Sequence, residues 1–330
     1  MAQQNRLVPP ANEEDLRLLE RARGRLGTDF PDGINEAQLR DVAAAEGIDL
    51  ATAMLYEHLR SRPDVDAFMS RIENRPIDSD GEDPPRVVVM PGAFHVEYPH
   101  TGAGGARVFE LAQKLGWQAE RVMVPSLAPM AANAAALVDL LARDPGRPTI
   151  LVSLSKGGAD IRAALERPDA EDALRDVRAW VSVSGIVTGT PLVGWLTARP
   201  LRCCGARLLL RIRRQRFAVV EELRRGCGSP MDRAMTIPPW MRVIHVNGFP
   251  LVRNLSDSWA RRGHARLAAL GPNDGGGILL ADLARLRGEL YPVWGADHYL
   301  QPSWDIRPLL LRILQEAASQ KSRAPEPALL

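Results

Sequence analysis

The sequence is informative first through what it has little of. Only three cysteines, Cys203, Cys204 and Cys227, occur among 330 residues. An odd count with an adjacent pair does not make a disulfide framework. No histidine stands beside them at zinc-ligand spacing, so free thiols in a reducing compartment are expected. Long apolar runs are missing too. The three leucines at 208–210 are broken at once by Arg211, far short of a membrane span. Residues 1–10 lack the apolar core of a secretory signal, and a cytoplasmic location is the expectation. Charge of one sign is also lacking: 42 basic and 40 acidic residues leave +2, which does not mark a polyanion binder. Aromatic residues make up only 5%.

What is present suits a soluble globular chain, with 45% apolar and 25% charged residues. The length allows one large α/β domain plus a smaller appendage. Residues 1–80 contain no convincing strand. Asn12 followed by Glu13, Glu14 and Asp15 reads as a capped helix start, with Leu16, Leu19, Ala22 and Leu26 at helical spacing. Asn35 starts a second helix that ends near Gly47, and residues 51–59 and 65–72 read as two more. Their apolar stripes suit a packing or homodimerisation appendage. The acidic, proline-ending stretch 75–85 is the best linker.

Beyond it the period changes. Short apolar runs at 86–90, 121–124, 149–154, 177–183, 241–246 and 290–294 read as strands. Helical patterns at 106–115, 131–142, 157–165 and 306–317 lie among them. This alternation predicts a mostly parallel sheet covered on both faces, with function at the carboxyl ends of its strands. Residues 192–239 interrupt it. They carry Arg199, Arg202, Arg207, Arg211, Arg213, Arg214, Arg216, Arg224 and Arg225, interleaved with Trp195, Leu196, the leucine triplet and Phe217. Such an insertion would hang over the carboxyl edge of the sheet as a helical lid.

Chemistry concentrates at strand ends. The run 149–154 leads into Ser155, followed by Lys156, Gly157 and Gly158, which reads as a strand–turn–helix that exposes a serine hydroxyl. The usual pattern is G-x-S-x-G, and Ser153 replaces its first glycine. A serine needs a base, and histidine is the usual one. Of His58, His95, His100, His245, His264 and His298, the last follows a strand and a short loop near the carboxyl end. His58 and His245 read as packing residues, and His264 as a solvated residue on an arginine-rich helical face. His95 and His100 either line a pocket or cap a loop. The histidine needs an orienting carboxylate. Asp274, in the turn-rich loop 271–276 ahead of a helix with Leu279, Leu280 and Leu283, is the first candidate. Asp257 is its rival; Asp282 would point off a helix, and Asp297 adjoins His298. The amides of Lys156 and Ala93 are placed to hold an oxyanion, with Gly92 permitting close backbone approach. The Lys156 side chain would turn away, toward acidic groups of a substrate.

In chain order, PGAF at 91–94, SLSKGG at 153–158, PNDGG at 272–276 and GADHYL at 295–300 resemble the oxyanion, nucleophile, acid and histidine blocks of α/β-hydrolases, in the lipase and esterase branch. Residues 184–194 are similar to the segment where lipase lids begin. The resemblance covers residues 86–320 and implies an α/β-hydrolase domain over 81–330, with an N-terminal helical extension over 1–80. It implies a serine nucleophile, Ser155, served by His298 and Asp274, acting on a carboxylic ester without cofactor or metal. Phe94, His95, Trp195 and Leu196 would line the pocket and lid, and an apolar lid suggests a lipophilic acyl substrate.

Other readings stay open. The same residues would serve an acyltransferase, a thioesterase or a peptidase, and a non-catalytic binding protein on this fold is an alternative of another class. The arginine-rich insertion is a solvated lid surface or a face for transient contact with anionic membrane lipid. Nucleic acid is not expected, because aromatic interleaving is sparse.

Overall fold

A computed structural model describes residues 12–77, 84–213, 215–255, 257–301 and 304–319. The middle of the expected linker (78–83) and Arg214 lie outside the described residues. Four helices come first: α1 (Glu13–Asp29), α2 (Glu36–Glu46), α3 (Ile48–Arg60) and α4 (Pro63–Asn74). The caps read from sequence form. Asn12 accepts from the Asp15 amide at 3.0 Å, and Asn35 and Gln38 close a reciprocal capping box.

The chain then alternates through β1 (Arg86–Met90), α5 (Ala106–Lys114), β2 (Ala119–Arg121), α6 (Met130–Leu141), β3 (Thr149–Leu154), α7 (Lys156–Leu165), α8 (Glu171–Leu174) and β4 (Val177–Val183). Three helices follow: α9 (Pro191–Thr197), α10 (Pro200–Ile212) and α11 (Ala218–Glu222). Then come β5 (Arg242–Phe249), α12 (Ser258–Leu267), β6 (Glu289–Trp294) and α13 (Arg307–Ala318). The six strands form one parallel sheet in the order β2-β1-β3-β4-β5-β6.

Successive side chains of a strand point to opposite faces, and the core divides accordingly. Val87, Val89, Ile150, Val152 and Val181 join one cluster with α5 and α13. Val88, Met90, Leu151 and Trp180 join the other, with α6 and the inner side of α7. Both faces are covered, which is why these strands read as continuous apolar runs. The N-terminal helices share the first cluster. Tyr56 of α3 packs on Trp294 and Phe249 with ring centroids 4.9 and 5.6 Å apart, and Phe68 of α4 meets Tyr291 edge-on. They close over the β5–β6 end of the sheet.

Two expectations move. The second strand is Ala119–Arg121, not 121–124; Val122 follows it, buried, with its amide on Val89 O at 2.9 Å. The stretch after the acid loop is a 3-10 segment, Leu280–Arg285, with Leu279 preceding it.

Chain order runs from β1 outward to β2, then back across β1 to β3. The direction in which the chain adds strands therefore reverses between β1 and β3, and their carboxyl ends open the crevice where ligands bind in such sheets. The loops after β1 and β3 are the ones carrying Gly92 and Ser155.

Candidate active site

Ser155 ends β3 with φ 50° and ψ −117°, a left-handed conformation costly for a residue with a side chain. Phe94, Ser184 and Leu300 also have positive φ, and all follow the carboxyl ends of strands. The sharp turn at Ser155 requires small neighbours. A Cβ on Gly157 would overlap Met90 O and lie 2.9 Å from Pro91 O, and one on Gly158 would lie 2.8 Å from the Gly185 Cα. Ser153 is tolerated because its side chain lies in the strand, buried, where Oγ accepts from Trp180 Nε1 at 2.8 Å.

The structure brings Ser155, His298 and Asp274 into one hydrogen-bonded chain. His298 Nε2 lies 2.7 Å from Ser155 Oγ, and His298 Nδ1 lies 2.5 Å from Asp274 Oδ2. All three are buried. The other oxygen of Asp274, Oδ1, accepts from the amides of Gly276, Gly277 and Ile278 at 2.9–3.0 Å. Burial disfavours both charges. Against it, the pairing with His298 and the amides holds the Asp274 carboxyl below its ordinary value. Burial likewise opposes the His298 cation, but the charge and hydrogen bond of Asp274 outweigh it and raise the imidazole above its ordinary value. An ionised Asp274 accepts from Nδ1–H, which leaves Nε2 free to accept the Ser155 proton.

Asp257 does not reach the histidine: it caps α12, accepting from the Trp259 amide. Asp282 pairs with Arg225 at 2.7 Å. Asp297 accepts from the amides of Tyr299 and Gln301, which bends the histidine loop without touching the imidazole of His298.

The loop after β1 lies directly against the serine, since a Cβ on Gly92 would meet Ser155 Cβ at 3.3 Å and Leu154 O at 3.1 Å. His95 is buried, and its Nδ1 holds Gly92 O at 3.0 Å; desolvation lowers its pKa and favours the neutral ring. Among the described groups, the amides of Ala93 and Lys156 have no acceptor. Phe94 packs with Leu127, Leu210 and Val219. The Trp195 ring is covered by the guanidinium groups of Arg202 and Arg266, 3.6 and 4.5 Å from its centroid. Leu196 is half-buried on the same helix, and His100 is exposed, its ring edge-on to Tyr98.

Two side-chain expectations are corrected. Lys156 does not face a substrate: its Nζ is buried 2.6 Å from Asp160 Oδ1, and Asn133 donates to the other Asp160 oxygen at 2.9 Å. His264 is not solvated. Arg261, Arg262 and Arg266 take the outer side of α12, while His264 lies inward with Ala260, Gly263 and Leu267. Burial lowers its pKa. Of the leucine triplet, only Leu210 turns inward. Sequence reasoning missed Asp160, although lysine and aspartate one helical turn apart are neighbours. It also missed the role of Gly276 and Gly277, whose signal was the glycine run after an aspartate.

No protein-family model matches the chain, and no curated protein matches it. Solved structures do. A metagenomic carboxyl esterase superposes with TM-score 0.51 at 21% identity over 74% of this chain and 79% of its own. A Bacillus licheniformis lipase in its propeptide form gives TM-score 0.52 at 21% identity, covering 78% of this chain and 54% of that one. The chain has the α/β-hydrolase fold.

On this fold the residues brought together all follow sheet strands: Gly92 after β1, Ser155 after β3 and His298 after β6, with Asp274 in the long β5–β6 connection. Among the described residues no cluster of metal-ligating side chains is assembled, and no helix is long and apolar enough to cross a membrane.

Proposed function

We propose that the protein is a serine hydrolase that cleaves carboxylic esters through an acyl-enzyme. The observation that carries this reading is the unbroken Ser155–His298–Asp274 hydrogen-bonded chain at the switch point of the sheet. Ser155 Oγ attacks the ester carbonyl as its proton passes to His298 Nε2. The imidazolium so formed is stabilised by Asp274, itself fixed by three amides. The amides of Ala93 and Lys156 receive the oxyanion, a contribution worth about 3–4 kcal/mol per donor in such sites. Collapse of the tetrahedral species breaks the ester C–O bond, and His298 returns the proton to the departing alkoxide. Water, deprotonated by His298, then releases the acid.

In this reading residues 81–330 are the hydrolase domain, the helices over 1–80 are an extension, and α9–α11 form a lid. Phe94 beside the oxyanion loop and Leu210 of α10 supply the apolar wall for an acyl chain. Assays of p-nitrophenyl esters, a matched thioester and an ester with added alcohol acceptor test the proposal. Ester hydrolysis that disappears in Ser155→Ala supports it. Preference for the thioester, or transfer to the alcohol in place of water, would move the assignment to a thioesterase or acyltransferase.

A further inference from the structure

Helix α10 presents an unusual outer face. Leu201 is 90% exposed, Leu208 60%, Leu209 50% and Ile212 70%. Leu201, Leu208 and Ile212 are spaced two and three turns apart, so they share one side of the helix, and exposed Gly205 lies between them. The opposite side is held by Leu210, which packs on Leu127, Val219 and Phe94. The usual order of an amphipathic surface helix is reversed, with a long apolar stripe facing outward.

Charge borders that stripe on both sides. Arg207 and Arg211, one turn apart, run along one edge; Arg202 and the C-cap Arg213 run along the other. The helix Pro200–Ile212 contains no carboxylate. Two acids stand nearby on other elements: Glu221 lies 3.7 Å from Arg207, and Glu97 accepts from Gln215 at 2.9 Å. At the carboxyl end, Arg213 Nη1 reaches Tyr98 OH at 3.4 Å, which ties this helix to the loop that carries Ala93 and Phe94.

We infer that α10 is a docking face for an anionic phospholipid surface, lying in the plane of the interface with its leucines among the acyl chains and its arginines at the headgroups. An outward apolar stripe flanked by cations on a helix without acids matches that environment on both counts. A second copy of the chain fits poorly. A two-fold contact would bring arginine edges against arginine edges, with no carboxylate from either copy of the helix to offset them. The inference stands apart from the chemistry at Ser155 and holds whatever that residue does.

Co-sedimentation with vesicles of pure phosphatidylcholine, and of equal parts phosphatidylcholine and phosphatidylglycerol, tests it. The full chain is expected to partition to the mixed vesicles and not to the neutral ones, and to release as salt screens the arginines. The double variant Leu208→Asp, Ile212→Asp should lose partitioning. Arg207→Gln with Arg211→Gln should weaken it on the order of tenfold or more. Because these side chains are exposed, circular dichroism and melting should match the parent protein. Absent partitioning, equal partitioning to neutral vesicles, or partitioning unaffected by either pair of substitutions overturns the inference. So does a lipid-free dimer that the aspartates dissociate, which would give the stripe to a second copy.

Discussion

The imidazole of His298 lies so close to the backbone of Gly276 that a Cβ at position 276 would overlap its Cβ, Cγ and Cδ2 atoms. Gly276 also donates its amide to Asp274 Oδ1 at 2.9 Å. One residue without a side chain therefore fixes both the acid and the face of the base. Gly276→Ala should displace the ring from Ser155 and lower kcat on the order of a hundredfold, with an overpacking cost of about 1–3 kcal/mol. Ester kinetics beside thermal melts check this; an unchanged kcat would remove Gly276 from the account.

In the proposed reaction Asp274 sets the pH range over which His298 acts as a base. Only the neutral imidazole accepts the serine proton, and its folded pKa is raised above the ordinary value near 6.5. Activity should therefore be present at alkaline pH and fall as pH drops through that raised value. The acidic limb of kcat/KM is expected above pH 6.5. In Asp274→Asn the raising partner is gone and burial, which lowers the pKa, prevails. The limb should then shift to lower pH while kcat falls by about 10⁴-fold. A limb that stays in place in the variant would separate Asp274 from the titration.

Next to Ser155, Lys156 and Asp160 form a pair whose side chains are each 1% exposed. Removing one partner strands a charge in the core. Lys156→Met should destabilise the protein by about 3–5 kcal/mol, and adding Asp160→Leu should recover most of the loss. Denaturant titration of the three proteins reads this directly. A single variant as stable as the parent would mean that the pair contributes little.

His95 Nδ1 bonds Gly92 O in the loop that lies against Ser155, and its own ring makes no contact with the serine hydroxyl among the described hydrogen bonds. In the proposed reaction it acts on the oxyanion loop through that carbonyl. His95→Phe, which keeps a ring and removes the bond, should reduce kcat about tenfold with little change in KM, because the loss falls on the transition state. A change confined to KM would instead make His95 a substrate contact.

These predictions draw on features of unequal visibility in the sequence. The strands under Ser155 were legible because a sheet buried on both faces demands runs such as Val87-Val88-Val89 and Ile150-Leu151-Val152. The edge strand β2 was not: it is three residues long and half-exposed, and Val122, the apolar cue, falls just beyond it. Ser155, Asp274 and His298 could be picked out because each stands in a turn after or between apolar runs. Which carboxylate meets His298 depends on how the β5–β6 connection folds back, and no local spacing specifies that. His264 was misplaced for a related reason. A helix with arginines on one side can turn either side inward, and α12 and α10 make opposite choices: α12 buries the side away from its arginines, whereas α10 leaves its leucine stripe outside.

The most direct test of the central claim is labelling of the purified full chain with a fluorophosphonate, followed by peptide mass spectrometry. A serine activated by His298 and Asp274 should carry one covalent adduct, located on Ser155. The adduct should be absent in His298→Ala, whose serine remains but lacks its base. A chain that stays unlabelled while folded, or that is labelled at another residue, would contradict the proposal that Ser155 is the nucleophile of a hydrolase.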